Sequence, residues 1–210
     1  MIRPRDLLLS LTLAALPASA FATNLGEVTA EDYYGAAYFK QALEHPQVQK
    51  VGDRKKQVAV VAKDLKWQPK KLEAALEKVE GLSGEPIELA KGALKGGFEG
   101  SRVKGRVLDV LINDQEPKHV VVYVRWQASA GKDIVKEAAT IASVVAKEAP
   151  LVSTLSLAAI HPKAAADSKD AVWSGKIGAQ QMGRIQAGRI DDYADRLYKN
   201  LFEGVESKPF

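Results

Sequence analysis

The sequence predicts an α+β protein, with an N-terminal bundle of about four helices followed by a ββαββα two-layer domain that contains a four-stranded, largely antiparallel sheet. Three observations support this prediction. Helical periodicity and helix caps dominate the chain up to residue 100, β-branched residues alternate in segments beyond it, and the glycine-rich segment 96–101 separates the two parts. We therefore expect a helical domain at 23–100 and an α+β sandwich domain at 101–210.

The composition is that of a globular protein. Of the 210 residues, 46% are hydrophobic and 27% are charged. Lys and Arg number 30 against 26 Asp and Glu, and this net charge of +4 is too balanced to indicate nucleic acid or an anionic membrane by itself. The absence of cysteine excludes disulfides, thiolate metal sites and cysteine nucleophiles.

The first 22 residues have the pattern of a signal peptide. Arg3 and Arg5 form a positive segment, and an apolar run, 7–15, follows them. A small-x-small site then predicts cleavage after Ala22 or Ala20, and the apolar run is too short to span a bilayer. We therefore expect export to the periplasm or the cell exterior, with no transmembrane segment after cleavage.

Four helices are predicted in the N-terminal half. Thr29 is placed to cap the first, with Glu31 and Asp32 in its first turn, and Pro69 is suited to the first position of the third. The expected bounds are 30–43, 53 or 54 to 66, 69–80 before a glycine, and 86 to the glycine pair at 96–97.

The first helix concentrates four aromatic residues within seven positions: Tyr33, Tyr34, Tyr38 and Phe39. Such a cluster can form a stacking surface for a glycan or a protein partner. It can equally pack against the next helix. We list the four residues as candidate binding residues.

One stretch of this half resembles a known DNA-binding element. The segment 61–76, Val-Ala-Lys-Asp-Leu-Lys-Trp-Gln-Pro-Lys-Lys-Leu-Glu-Ala-Ala-Leu, is similar to the helix-turn-helix of bacterial DNA-binding domains. The resemblance implies that the helix from Pro69 would enter the major groove. Lys66 occupies the turn position that this family fills with glycine, and Glu73 and Glu77 on the second helix would repel phosphate. Nucleic acid is therefore not expected as the partner, and nucleic-acid binding through 58–80 is kept as an alternative function.

The second half alternates strands and helices. Strands are predicted at 102–112, 119–126, 154–160 and 171–177, a helix at 133–148, and a terminal helix beginning at residue 191 or 192. Two hairpins joined by a helix predict the two-layer sheet domain.

The sequence marks no catalytic, metal or cofactor site. His45, His119 and His161 lack the spacing of metal ligands, and no serine lies in a nucleophile motif. We expect no catalytic residue, no metal and no cofactor. A non-catalytic function is favoured, and a hydrolase whose residues converge only in the fold is the other alternative.

Three arginines are candidates for an anion pocket: Arg125, Arg184 and Arg189. The last two lie near each other in sequence, and Arg125 could approach them from the sheet. Alternatively, the arginines pair with nearby aspartates at the surface.

Taken with the predicted export, these patterns predict a cell-envelope or periplasmic protein that acts as a binding or interaction module. The expected partner is an envelope protein or a glycan.

Overall fold

A computed structural model describes residues 25–129, 133–192 and 195–209, with helices first and a mixed sheet second. The predicted α+β class is confirmed. The predicted signal peptide, 1–22, lies outside the described residues.

Four helices of the N-terminal half form where the caps and prolines predict them, and a short helix at 46–49 is additional. Thr29 caps α1 through a capping box with Asp32, Asp53 caps α3, and prolines open α4 and α5. The helices are α1 (Ala30–Ala42), α2 (Pro46–Gln49), α3 (Arg54–Asp64), α4 (Pro69–Glu80) and α5 (Pro86–Glu99).

These helices contribute residues to two separate hydrophobic cores. α1, α3 and α4 enclose a small core that includes Phe39, Val61 and Leu72. α5 instead buries Leu94 and Phe98 in the larger core beneath the sheet. The core of the second half therefore includes α5, which continues into the glycine-rich segment as far as Glu99.

The sheet has five strands in chain order, β1 to β5. They are β1 (Val107–Asn113), β2 (Val121–Gln127), β3 (Thr154–Ile160), β4 (Ala171–Gly178) and β5 (Glu203–Ser207). β2 and β3 are parallel, because α6 (Ile134–Glu148) crosses between them, and the other neighbours are antiparallel. Four strands match the prediction, although β1 begins at Val107 and not at 102, and β5 is additional.

Among the described residues, helices cover one face of the sheet. α6 lies on the face that carries Val124, Trp126 and Leu157. The chain after β4 forms α7 (Ala179–Met182), a 3-10 helix (Ala187–Asp192) and α8 (Asp195–Lys199), all of which pack on α6. On the opposite face Leu111 is 62% and Tyr123 43% exposed, so this side of the sheet is open.

Candidate ligand-binding site

Three partly exposed aromatic side chains meet where α1 faces the turn between α3 and α4. The ring centroids of Tyr34 and Tyr38 are 6.0 Å apart, and Trp67 stands edge-on to Tyr34 at 6.3 Å. We call Tyr34, Tyr38 and Trp67 the aromatic patch. It is the strongest candidate binding site in the described part of the chain.

A helix C-cap places Trp67 in this patch. Lys66 adopts a left-handed backbone conformation, with φ of 58°. The Lys66 N–H donates to the carbonyl of Lys63, and the Trp67 N–H donates to that of Ala62 at 2.7 Å. This pair of bonds is the Schellman motif, which normally has glycine at the left-handed position. It turns the chain sharply after α3 and directs Trp67 toward α1.

Gly35 allows the indole to reach α1. A Cβ added at Gly35 would lie 2.5 Å from an atom of the Trp67 ring. Any larger residue would therefore displace the ring. The contact brings Trp67 beside Tyr34, one position before the glycine.

The hydroxyl groups of the two tyrosines in the patch are available to hydrogen-bond a ligand. Within the described residues the hydroxyls of Tyr34 and Tyr38 have no hydrogen-bond partner. Tyr and Trp offer large apolar ring faces with a polar group at one end, which suits contact with ligands that are themselves partly apolar.

The other two aromatic candidates of α1, Tyr33 and Phe39, make contacts within the fold. Phe39 is 3% exposed and belongs to the core between α1, α3 and α4. Tyr33 is half-buried, and its hydroxyl donates to Asp114 Oδ2 at 3.0 Å, which links α1 to the loop after β1. Burial, together with the Asp114 carboxylate, raises the pKa of Tyr33 well above its ordinary value.

Ion pairs fasten α4 to α1 beside the patch. Lys71 pairs with Glu31 while its ammonium lies 4.5 Å from the centroid of the Trp67 ring, and Lys78 pairs with Asp32 at 2.9 Å. Burial acts to raise the pKa of Asp32, but hydrogen bonds from Lys78 and from the backbone and hydroxyl of its cap residue outweigh it. The pKa of Asp32 therefore lies below its ordinary value of 3.8.

The structure does not bring the three candidate arginines together. Arg125 lies on the open face of the sheet, where it pairs with Asp109 and donates to the carbonyl of Ser168 at 2.8 Å. Arg184 and Arg189 lie on the segment after β4, which packs against α6 on the other face. Arg189 pairs with Asp192 at 3.2 Å.

A buried carboxylate in α6 was not identified from the sequence. Glu137 is 1% exposed, and it accepts from Trp126 Nε1 at 2.9 Å, from the Ser129 N–H at 3.2 Å and from the Arg106 guanidinium at 2.7 Å. Arg106 also donates to the carbonyl of Gln127 at 2.8 Å. The carboxylate is surrounded by donors, so its hydrogen bonds are satisfied within the protein. The network joins the β1–β2 hairpin to α6, and its role is structural.

Concave surfaces also lie outside the patch in the described part of the chain. A groove of about 1140 Å³ runs between α5 and α6, lined in part by Gly92, Gly96, Thr140 and Ser143. Both hydroxyls donate to backbone carbonyls of α6. A shallower depression of about 510 Å³ lies on the open face of the sheet beside Tyr123. The cations that line these surfaces, Arg102 and Lys147 in the groove and Arg125 in the depression, are each paired with a carboxylate.

Within the described residues no group of histidines and carboxylates is arranged to hold a metal ion. In the same part of the chain, no helix has the length and apolarity needed to cross a bilayer.

Comparisons of the chain with protein-family models, with curated proteins and with solved structures gave no match in any of the three. A functional assignment therefore rests on the geometry of the chain itself.

Proposed function

We propose that the chain is an exported, non-catalytic binding module of the cell envelope, and that the aromatic patch contacts a glycan. The observation that carries the proposal is the patch itself, in which three partly exposed rings lie side by side and two hydroxyls are without partners in the described residues. Sugar rings have apolar C–H faces that lie on aromatic rings, and hydroxyl edges that exchange hydrogen bonds with tyrosine.

Export is supported by the first 22 residues. The positive segment, the apolar run and the site ending at Ala22 match the pattern of a cleaved signal peptide. Expression from the full-length gene should give a protein in the envelope or secreted fraction whose intact mass corresponds to 23–210, or to 21–210 for cleavage after Ala20. An uncleaved cytoplasmic product would contradict this part of the proposal.

The glycan contact is tested by removing rings and hydroxyls separately. The exported protein is applied to an array of neutral and acidic oligosaccharides. Tyr34→Ala with Tyr38→Ala should weaken binding of any retained glycan by roughly tenfold or more, which corresponds to about 1.4 kcal/mol or more from the loss of two ring contacts. Tyr34→Phe with Tyr38→Phe keeps both rings and should show a smaller loss.

Tyr123→Ala is the matched control, because it removes a partly exposed tyrosine from the open face of the sheet. It should leave glycan binding unchanged. Melting temperatures accompany every variant, since Tyr38 also packs against the helical core. Absence of retention on the whole array, or equal loss with Tyr123→Ala, would reject the patch as a glycan site.

Nucleic-acid binding through 58–80 is the second candidate, because α3, the four-residue turn and α4 form the predicted helix pair. Its test is retention on double-stranded DNA with a steep decrease as salt rises. Salt-insensitive or absent retention would dismiss it.

A further inference from the structure

Three lysines without ion-pair partners in the described residues lie on the turn that carries Trp67 and on the helix ends that flank this turn. Lys63, Lys66 and Lys70 are exposed, and none of them has an acidic partner within the described residues. The interval 63–70 holds these three lysines and one acid, Asp64, which gives it a charge of 3 − 1 = +2. This differs from Lys71, whose charge is balanced by α1.

The central lysine of the three occupies a position that favours glycine. A left-handed backbone costs a side-chain-bearing residue roughly 1–2 kcal/mol, and Lys66 has φ of 58°. Its sequence neighbour Trp67 belongs to the patch, so the turn that directs the indole toward α1 also carries an exposed lysine. A strained position filled by a charged residue beside a binding surface points to a role for the charge.

We infer that the ligand of the aromatic patch is an acidic polysaccharide, an inference that rests on the proposed function. The rings contact sugar faces, and the lysine ammonium groups at 63, 66 and 70 pair with carboxylates or other anionic groups along the chain. Charges at the rim of a binding surface act through complementary potential and weaken as salt screens them.

The charge pattern of α4 favours a polysaccharide over nucleic acid. Glu73, Glu77 and Glu80 follow Lys70 along α4, and Glu77 and Glu80 are exposed. A phosphate backbone laid along α4 would meet these carboxylates. A polysaccharide that crosses the patch at the start of the helix avoids them.

The test uses two polymers with the same sugar backbone, polygalacturonate oligomers and the same oligomers with their carboxylates neutralised as methyl esters. Dissociation constants are measured by titration calorimetry at low and high salt, for the exported protein and for the triple variant Lys63→Gln, Lys66→Gln and Lys70→Gln. The control triple, Lys104→Gln, Lys118→Gln and Lys199→Gln, removes the same charge from exposed lysines elsewhere.

The wild-type protein should bind the acid form at least about tenfold more tightly than the ester at low salt, as expected for three rim charges. The patch triple should bind both forms with affinities within roughly twofold of each other, and the control triple should behave as wild type.

Equal affinity of the wild-type protein for acid and ester would overturn the inference and leave the glycan proposal intact. If the wild-type protein binds neither polymer and no glycan on the array, the inference and the proposed glycan site are both rejected. Tighter binding of single-stranded DNA than of polygalacturonate would reassign the patch to nucleic acid and overturn the inference.

Lys66→Gly separates binding from folding. Glycine relieves the left-handed strain, so the melting temperature should stay the same or rise, while affinity for the acid form falls toward that of the ester. A fall in melting temperature with unchanged affinity would assign Lys66 a structural role only and count against the inference.

Discussion

At the scale of single residues, Glu137 places a carboxylate inside the largest core, with three donors around it. Removing one member of a buried ion pair typically destabilises a fold by about 3–5 kcal/mol. Here Arg106 keeps 25% of its side chain exposed, so water can compensate part of the loss.

Glu137→Gln should therefore lower the free energy of unfolding by roughly 2–4 kcal/mol. Urea denaturation followed by tryptophan fluorescence measures it, because Trp126 donates to this carboxylate. Glu99→Gln changes an exposed glutamate and should stay within about 0.5 kcal/mol of wild type. Equal stability of the two variants would show that the buried network contributes nothing net.

The sequence alone identified some site residues and not others. Tyr34 and Tyr38 could be found because four aromatics crowd one helix. Trp67 could not be assigned to the same patch, because its position depends on the Schellman turn and on the space left by Gly35. Glu137 was missed for a related reason. It stands beside an apolar stripe, and nothing local shows that Arg106 and Trp126 approach it.

At the scale of elements, α5 carries adjacent glycines in different environments. A Cβ at Gly96 would meet nothing within 4 Å, whereas a Cβ at Gly97 would lie 2.7 Å from Val144 Cγ1 on α6. Alanine is favoured over glycine in a helix interior by about 1 kcal/mol. At Gly96 helix propensity favours alanine and packing leaves room for it. At Gly97 propensity also favours alanine, but packing against α6 opposes it.

Gly96→Ala should raise the free energy of unfolding by about 0.5–1 kcal/mol, and Gly97→Ala should lower it by roughly 1–3 kcal/mol as α5 and α6 are forced apart. Thermal and urea unfolding of the two variants provide the comparison, and each serves as the control for the other. Changes of the same sign would mean that α5 and α6 do not pack as closely as the structure shows.

Most element bounds followed from local sequence, and the exceptions have physical causes. α4 and β3 lie where proline, glycine and alternation predict them. β5 escaped prediction because all five of its residues are exposed, so no alternation of apolar residues marks it. β1 begins late because the Arg106 side chain bonds the Arg102 carbonyl and holds the preceding residues in turns.

At the scale of the whole molecule, two cores of unequal size are joined in part by the hydrogen bond from Tyr33 to Asp114. The smaller core between α1, α3 and α4 buries less apolar surface and should open at lower free energy. The larger core contains α6, β2 and β3.

Hydrogen exchange should therefore show lower protection for the amides of α3 and α4 than for those of β2, β3 and α6. Tyr33→Phe removes the link and should lower protection in α1 by about 1 kcal/mol, leaving β2 and β3 unchanged. Tyr34→Phe is the control, since the Tyr34 hydroxyl has no partner in the described residues. Uniform protection across both cores would indicate a single cooperative unit.

The strand order of the sheet also bears on how the chain can assemble. The strands lie side by side in the order in which they occur along the chain. A polypeptide delivered N-terminus first can add each new strand to a free edge that is already in place, and no strand has to be inserted between two others. Assembly can thus keep pace with synthesis. The long connections that it needs are the one that contains α6, between β2 and β3, and the one that contains α7 and α8, between β4 and β5.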